Sequence, residues 1–274
     1  MDKSLKFNQY GSENGKIVIY FHGVPGAPEE CAIFDSYAKE NGLTIICFER
    51  FSVDASVVGE AYYQALVTEI LKIANGKKID VIGFSIGAFV ALKTCRLLKN
   101  NVTNLHLVSA AAPLEMGDFL TNMAGKHVFK VAKNFPLFFT LLSYWQKLTM
   151  IFFPSVLFRL LFANASGKDK TLASNPEFQL SIMKMLKSTF IHHLKGYIRD
   201  ISDYVQPWGN TLSELTVKTH IWHGKEDNWS PKLMAEYFKF AMPSCSHIEV
   251  MDGLSHYSCL YESAPKICNK LNKV

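Results

Sequence analysis

The chain has 274 residues, 49% hydrophobic and 19% charged, enough for one large core with a lesser subdomain, and this excludes a disordered or fibrous protein. Its formal net charge is +5, yet Lys and Arg form no long block, so no nucleic-acid partner is expected. The six cysteines (Cys31, Cys47, Cys95, Cys245, Cys259, Cys268) are scattered without C-x-x-C spacing and fit a reduced, intracellular protein.

The first residues, MDKSLKFNQYGSENGK, have no apolar stretch or small-residue cleavage site, so no secretory signal is expected and the cytoplasm is the default location. LKFNQY at 5–10 can form a leading strand and KIVIYFH at 16–22 a first core strand. After the turn-rich GVPGAP a helix is expected to about Lys39, then LTIICF at 43–48 as a strand and a helix over 57–74 closed by Asn75-Gly76. IDVIGF at 79–84 is a third core strand running into a helix over 86–98, and NLHLVSA at 104–110 is a fourth. These strands are almost continuously apolar, as in a parallel sheet covered on both faces.

Between Pro113 and about Val205 the pattern becomes helical, aromatic and Met-rich, with no convincing strand. Its most apolar run, 135–162, is interrupted by Gln146, Lys147, Pro154 and Arg159, short of the ~20 apolar residues a membrane span needs. Alternation then resumes with VKTHIW at 217–222, a helix over 231–240, HIEVM at 247–251 and a terminal helix from about Ser258. The expected architecture is α/β: a mostly parallel central sheet flanked by helices, with residues 1–113 and 205–274 as core and 114–204 as an inserted helical lid.

Gly83-Phe84-Ser85-Ile86-Gly87 is a G-x-S-x-G at a strand-to-helix turn. A nucleophilic serine there needs a sharp, strained bend to project its hydroxyl, and glycine on both flanks removes side chains that would collide with strand and helix. A developing oxyanion needs two backbone N–H donors. Ile86 offers one at a helix start, where amides lack partners and the dipole favours an anion. Val24, in the loop His22-Gly23-Val24-Pro25-Gly26 after the first core strand, is the candidate for the other.

Taken in order, HGVPG, GFSIG, HGKED and GLSHYS at successive strand ends resemble the α/β-hydrolase family, over roughly 16–113 and 205–274. The resemblance implies a serine hydrolase of esterase or monoacylglycerol-lipase type, with Ser85 as nucleophile, Asp227 as the acid and His256 as the base. Glu226 beside Asp227 and the remoter Glu115 remain alternatives for the acid. Two departures stand out: only one strand fits before Lys16, and the loop ERFSVDAS after the second core strand lacks the glycine-rich segment many members carry.

The other histidines do not form a metal centre. His106 lies inside a strand, His247 begins one, His220 and His223 point to opposite strand faces, and His192 and His193 share no helix face. No metal and no cofactor are expected.

Residues 114–203 carry eleven Lys plus Arg against six Asp plus Glu, so the whole +5 sits in the inserted segment. A basic, apolar lid suits a small hydrophobic ester substrate, with an acyl or aromatic part, and a loose association with an anionic membrane surface. The same residues could simply pack onto the core. A serine at the elbow favours acyl transfer to water, on an ester or thioester, over displacement at saturated carbon. Two other readings stay open: hydrolysis of a carbon–carbon bond in a diketone-type compound, and a non-catalytic ligand-binding module on this scaffold.

Overall fold

The structure, a computed structural model, describes residues 4–273; Met1, Asp2, Lys3 and Val274, assigned above to the core, lie outside them. Seven strands form one sheet: β1 (Phe7–Gly11), β2 (Lys16–Phe21), β3 (Leu43–Phe48), β4 (Ile79–Phe84), β5 (Val102–Val108), β6 (Lys218–Gly224) and β7 (Cys245–Met251), in the order β1-β3-β2-β4-β5-β6-β7. Only β1 runs antiparallel, with Phe7 opposite Phe48; every other neighbouring pair is parallel. All residues of β3 and β4 are buried because helices cover both faces; the one charged residue among them, Asp80, is paired with Lys16 at 2.8 Å and accepts from the Asn104 amide.

The covering helices are α1 (Asp35–Glu40), α2 (Glu60–Ala74), α3 (Gly87–Leu98) and, late in the chain, two more described below. Of the boundaries that differ from the pattern in the sequence, three have a visible local cause. The helix expected to run to Lys39 begins as a 3-10 segment, Pro28–Phe34, whose Glu30 turns inward to accept from the Gly23 amide at 2.8 Å and the Tyr20 hydroxyl at 2.9 Å. Strand β5 stops at Val108 because Ser109 takes φ 44°. The terminal helix starts at His256, two residues early, because Ser255 forms a capping box with Ser258.

Between β5 and β6 the described residues contain no strand. They form α4 (Lys126–Asn134), α5 (Pro136–Phe152), α6 (Pro154–Phe162), α7 (Asp169–Leu172), α8 (Pro176–Lys187) and α9 (Leu194–Tyr204). Pro136, Pro154 and Pro176 stand at the first turn of their helices, where the missing N–H costs nothing, so Pro154 ends one helix by starting the next. The remaining helices are α10 (Lys232–Ala241) and α11 (His256–Asn272).

Helix α5 is apolar on two sides. Phe139 and Met150 are buried, while Leu137, Phe138, Leu141, Tyr144, Trp145, Leu148, Ile151 and Phe152 form an exposed stripe at helical spacing, Leu137 being 81% exposed. No helix of the described residues is long and apolar enough to cross a membrane.

Candidate active site

Ser85 stands between β4 and α3 with φ 55°, a conformation that L side chains rarely adopt. Its backbone ties it to β5: the Ser85 amide donates to Val108 O at 3.0 Å and its carbonyl accepts from Ala111 N at 3.2 Å. A Cβ on Gly83 would lie 2.7 Å from Ala88 Cα, and one on Gly87 would lie 2.2 Å from Phe21 O and 2.3 Å from His22 O. Both flanking glycines are therefore steric requirements of this bend.

Asp227 follows β6 in the loop after Gly224. Its Oδ1 accepts from the Trp229 and Ser230 amides, each at 2.9 Å, which turns Oδ2 toward His256. His256 Nδ1 donates to that oxygen at 2.8 Å, and both residues are buried. Burial alone would raise the Asp227 pKa; the His256 charge and the hydrogen bonds outweigh it and hold the carboxyl below its usual range. Of the alternative acids, Glu115 caps the Trp208 and Gly209 amides at 2.7 Å each, and Glu226 is exposed with its amide bonded to Leu254 O. Among the described residues only Asp227 is paired with His256.

His256, the first residue of α11, brings its ring to 4.8 Å from Phe84, the neighbour of Ser85, and stacks on Trp229 at 5.3 Å. Its backbone carbonyl accepts from Ser109 Oγ at 3.2 Å. A cavity of about 230 Å³ adjoins this group and is lined by Ser85, Ile86, Val24 and Trp229 together with Phe129, Trp145, Leu157, Leu161, Phe190 and Tyr197 from the helices after β5. Ser85, Ile86 and Val24 thus line the same cavity, and among the described residues neither the Val24 nor the Ile86 amide donates to a protein acceptor.

Several residues around the site carry no signal in the sequence. Trp229 forms the face on which the imidazole rests. Asp169 of α7, fully buried, accepts from the Tyr257 and Ser258 amides at 3.0 and 2.7 Å and so caps the helix that begins with His256. Glu30 lies under the His22–Gly26 loop, and burial pushes its pKa up to about 7. Arg50 and Asp200, 150 residues apart, form a buried ion pair beside that loop. Only the short spacing of Trp229 from Asp227 could have suggested its part; the others are ordinary polar residues until folding buries them.

Of the remaining histidines, His22 lies in the candidate oxyanion loop and bonds Gly23 O through Nδ1 at 2.8 Å. His106 accepts from Trp222 Nε1 at 3.0 Å and stacks on His220 at 4.9 Å, and His223 bonds Ser230 O at 2.8 Å. Among the described residues no three His, Cys, Asp or Glu side chains gather as a metal site would require.

The fold is shared with solved structures of low identity. An esterase from Exiguobacterium antarcticum superposes with a TM-score of 0.70 at 18% identity, covering 98% of this chain and 96% of that one. An esterase from Thermogutta terrifontis gives 0.66 at 17% identity, covering 98% and 92%. An alpha/beta hydrolase enzyme from a Medee basin deep-sea metagenome library gives 0.70 at 13%, covering 97% and 92%. These likenesses establish an α/β-hydrolase fold. A comparison with curated proteins gave no match. A family model described as lipid-droplet associated hydrolase matches residues 60–259. That match spans most of the chain, on the fold just described, and the chain belongs to the lipid-droplet associated hydrolase family.

Proposed function

We propose that this hydrolase cleaves a carboxylic ester, or by the same chemistry a thioester, of a hydrophobic acyl or aromatic substrate through an acyl-enzyme on Ser85. The observation that carries the reading is the 2.8 Å Asp227–His256 hydrogen bond, its imidazole 4.8 Å from the ring of Phe84, next in the chain to a serine held at φ 55° that lines an apolar cavity. With Nδ1–H committed to Asp227, the imidazole keeps Nε2 free to accept the Ser85 proton. Ser85 Oγ then bonds to the substrate carbonyl carbon while the carbonyl oxygen becomes an oxyanion facing the Val24 and Ile86 amides. Collapse breaks the bond to the alcohol or thiol, which takes the proton from Nε2. Water repeats the sequence and frees the acid.

The helices of 114–204 are read as a lid on a core of 1–113 and 205–274, since they supply most of the cavity wall. Trp145 and Leu160 both line the cavity and lie exposed on the outer apolar surface. An exposed stripe of this kind, beside exposed Lys130, Lys133 and Arg159, suits a loose contact with an anionic lipid surface. The unpaired state of all six cysteines among the described residues fits a reducing compartment, and we read the location as cytoplasmic.

The deciding experiment uses a fluorophosphonate probe and p-nitrophenyl esters of graded acyl length. Wild type is expected to be labelled and to turn over the esters, and Ser85→Ala to do neither. A wild-type protein that is neither labelled nor active would leave the ligand-binding alternative standing.

A further inference from the structure

The His22–Gly26 loop is fastened from both ends by side chains that do not belong to the Asp227–His256 pair. The peptide between Gly23 and Val24 is planar, so its carbonyl and its N–H point in opposite directions, and holding one aims the other. His22 Nδ1 donates to Gly23 O at 2.8 Å, and Arg50 Nη2 donates to His22 O at 2.7 Å and to Gly23 O at 3.3 Å. Arg50 is 1% exposed and is itself locked by an ion pair from Nη1 to Asp200 of α9. The neighbouring Arg199 donates to the Arg50 carbonyl at 2.9 Å and to the other Asp200 oxygen at 3.1 Å.

At the far end, Thr189 lies fully buried in the π-helical turn Ser188–His192, a type of turn often found at functional sites. Its hydroxyl accepts from the Gly26 amide at 3.1 Å and donates to the Gly26 carbonyl at 2.9 Å. Gly26 cannot be replaced to tighten the loop by itself, since a Cβ there would lie 2.4 Å from Gly23 O.

We propose that two lid residues, Thr189 acting on Gly26 and Asp200 acting through Arg50 on the Gly23–Val24 peptide, are positioning residues that aim the Val24 amide at the oxyanion. The inference rests on the ester-hydrolase reading above. A donor stabilises a developing charge best when it need not reorganise, and the Gly and Pro of this loop supply few side chains to hold its backbone still. The guanidinium on the carbonyl side also polarises the peptide and strengthens its N–H as a donor. Withdrawing α9 would strand buried charges at its contact with the core, which ties the positioning residues to the fold itself.

The test compares Thr189→Val, which keeps the shape and deletes both hydrogen bonds, with Thr189→Ser, which keeps them. With p-nitrophenyl butyrate, the Val variant is expected to lose about tenfold in kcat with KM within about twofold, and to be labelled by fluorophosphonate correspondingly more slowly. The Ser variant should stay within about twofold of wild type. Thr189→Ala gives the same reading should the Val variant not fold, and Asp200→Asn should lower kcat in the same direction. Wild-type kcat and labelling rate in the folded Val or Ala variant would overturn the proposal, as would equal losses in Ser and Val. A wild type that resists labelling overturns the hydrolase reading itself, whereas a labelled wild type with indifferent variants overturns this inference alone.

Discussion

Asp169 Oδ1 accepts a hydrogen bond from the Ser258 amide at 2.7 Å, so a carboxylate from the segment between β5 and β6 caps the helix whose first residue is His256. The imidazole is therefore oriented from two directions, by Asp227 at its ring and by Asp169 at its backbone. Asp169→Ala removes the acceptor for two buried amides and is expected to lower stability by about 1–3 kcal/mol and to reduce turnover as well. Thermal unfolding and ester turnover read the two effects, and a variant unchanged in both would show that this cap is idle.

Asp227→Asn keeps Oδ1 for the Trp229 and Ser230 amides but presents an N–H toward His256. The ring must then accept at Nδ1 and carry its proton on Nε2, the wrong tautomer for a base. Turnover is expected to fall on the order of 10⁴-fold, the scale of loss when the aspartate of a serine-protease triad becomes asparagine, with the melting temperature nearly unchanged. Near-normal turnover would mean that Asp227 is not the acid.

Gly87→Ala places a methyl 2.2 Å from Phe21 O and 2.3 Å from His22 O, both backbone atoms that cannot step aside. A loss of about 3 kcal/mol or more, or failure to fold, is expected. Soluble yield and denaturant unfolding provide the check. A stable Ala variant would contradict the close approach of α3 to the end of β2.

Glu30 has its pKa raised by burial from 4.5 to about 7. The folded protein thus holds this proton where the unfolded chain has released it, and its contribution to stability declines as pH rises from about 4.5 to 7. Glu30→Gln removes that slope. The stability of the variant relative to wild type is expected to climb across this window, by up to about 3 kcal/mol, and to level off above it. A difference independent of pH in urea titrations would refute the buried acid.

The apolar stripe of α5 predicts binding to lipid. Wild type should float with vesicles of phosphatidylcholine and phosphatidylserine, less so at high salt, because the flanking charges are screened. The triple change Leu137→Glu, Phe138→Glu and Leu141→Glu is expected to abolish flotation while leaving p-nitrophenyl butyrate turnover alone, since none of the three lines the cavity. Flotation retained by the variant would assign the stripe to some other partner.

Much of the fold was legible because its signals are local. Strands β3 and β4 match the runs LTIICF and IDVIGF residue for residue, since a strand covered on both faces is almost continuously apolar. The bend at Ser85 was legible because two glycines bracket it, and the shape of a turn is set by a few adjacent residues. Less was legible at helix starts: His256 begins α11 through a cap between Ser255 and Ser258, and Glu30 turns the expected helix into a 3-10 segment by reaching inward.

The sequence alone determined the alternation of strand and helix, the strained turn and the order in which serine, aspartate and histidine follow one another. Tertiary structure alone decided that Asp227 rather than Glu115 meets His256, that Asp169 caps the helix of that histidine, and that Arg50 and Asp200 lie inside beside the His22–Gly26 loop. The reason is physical. Hydrophobic periodicity and turn geometry are properties of neighbours along the chain, whereas the burial of a charge depends on a partner brought from far along it, and no residue carries that information by itself.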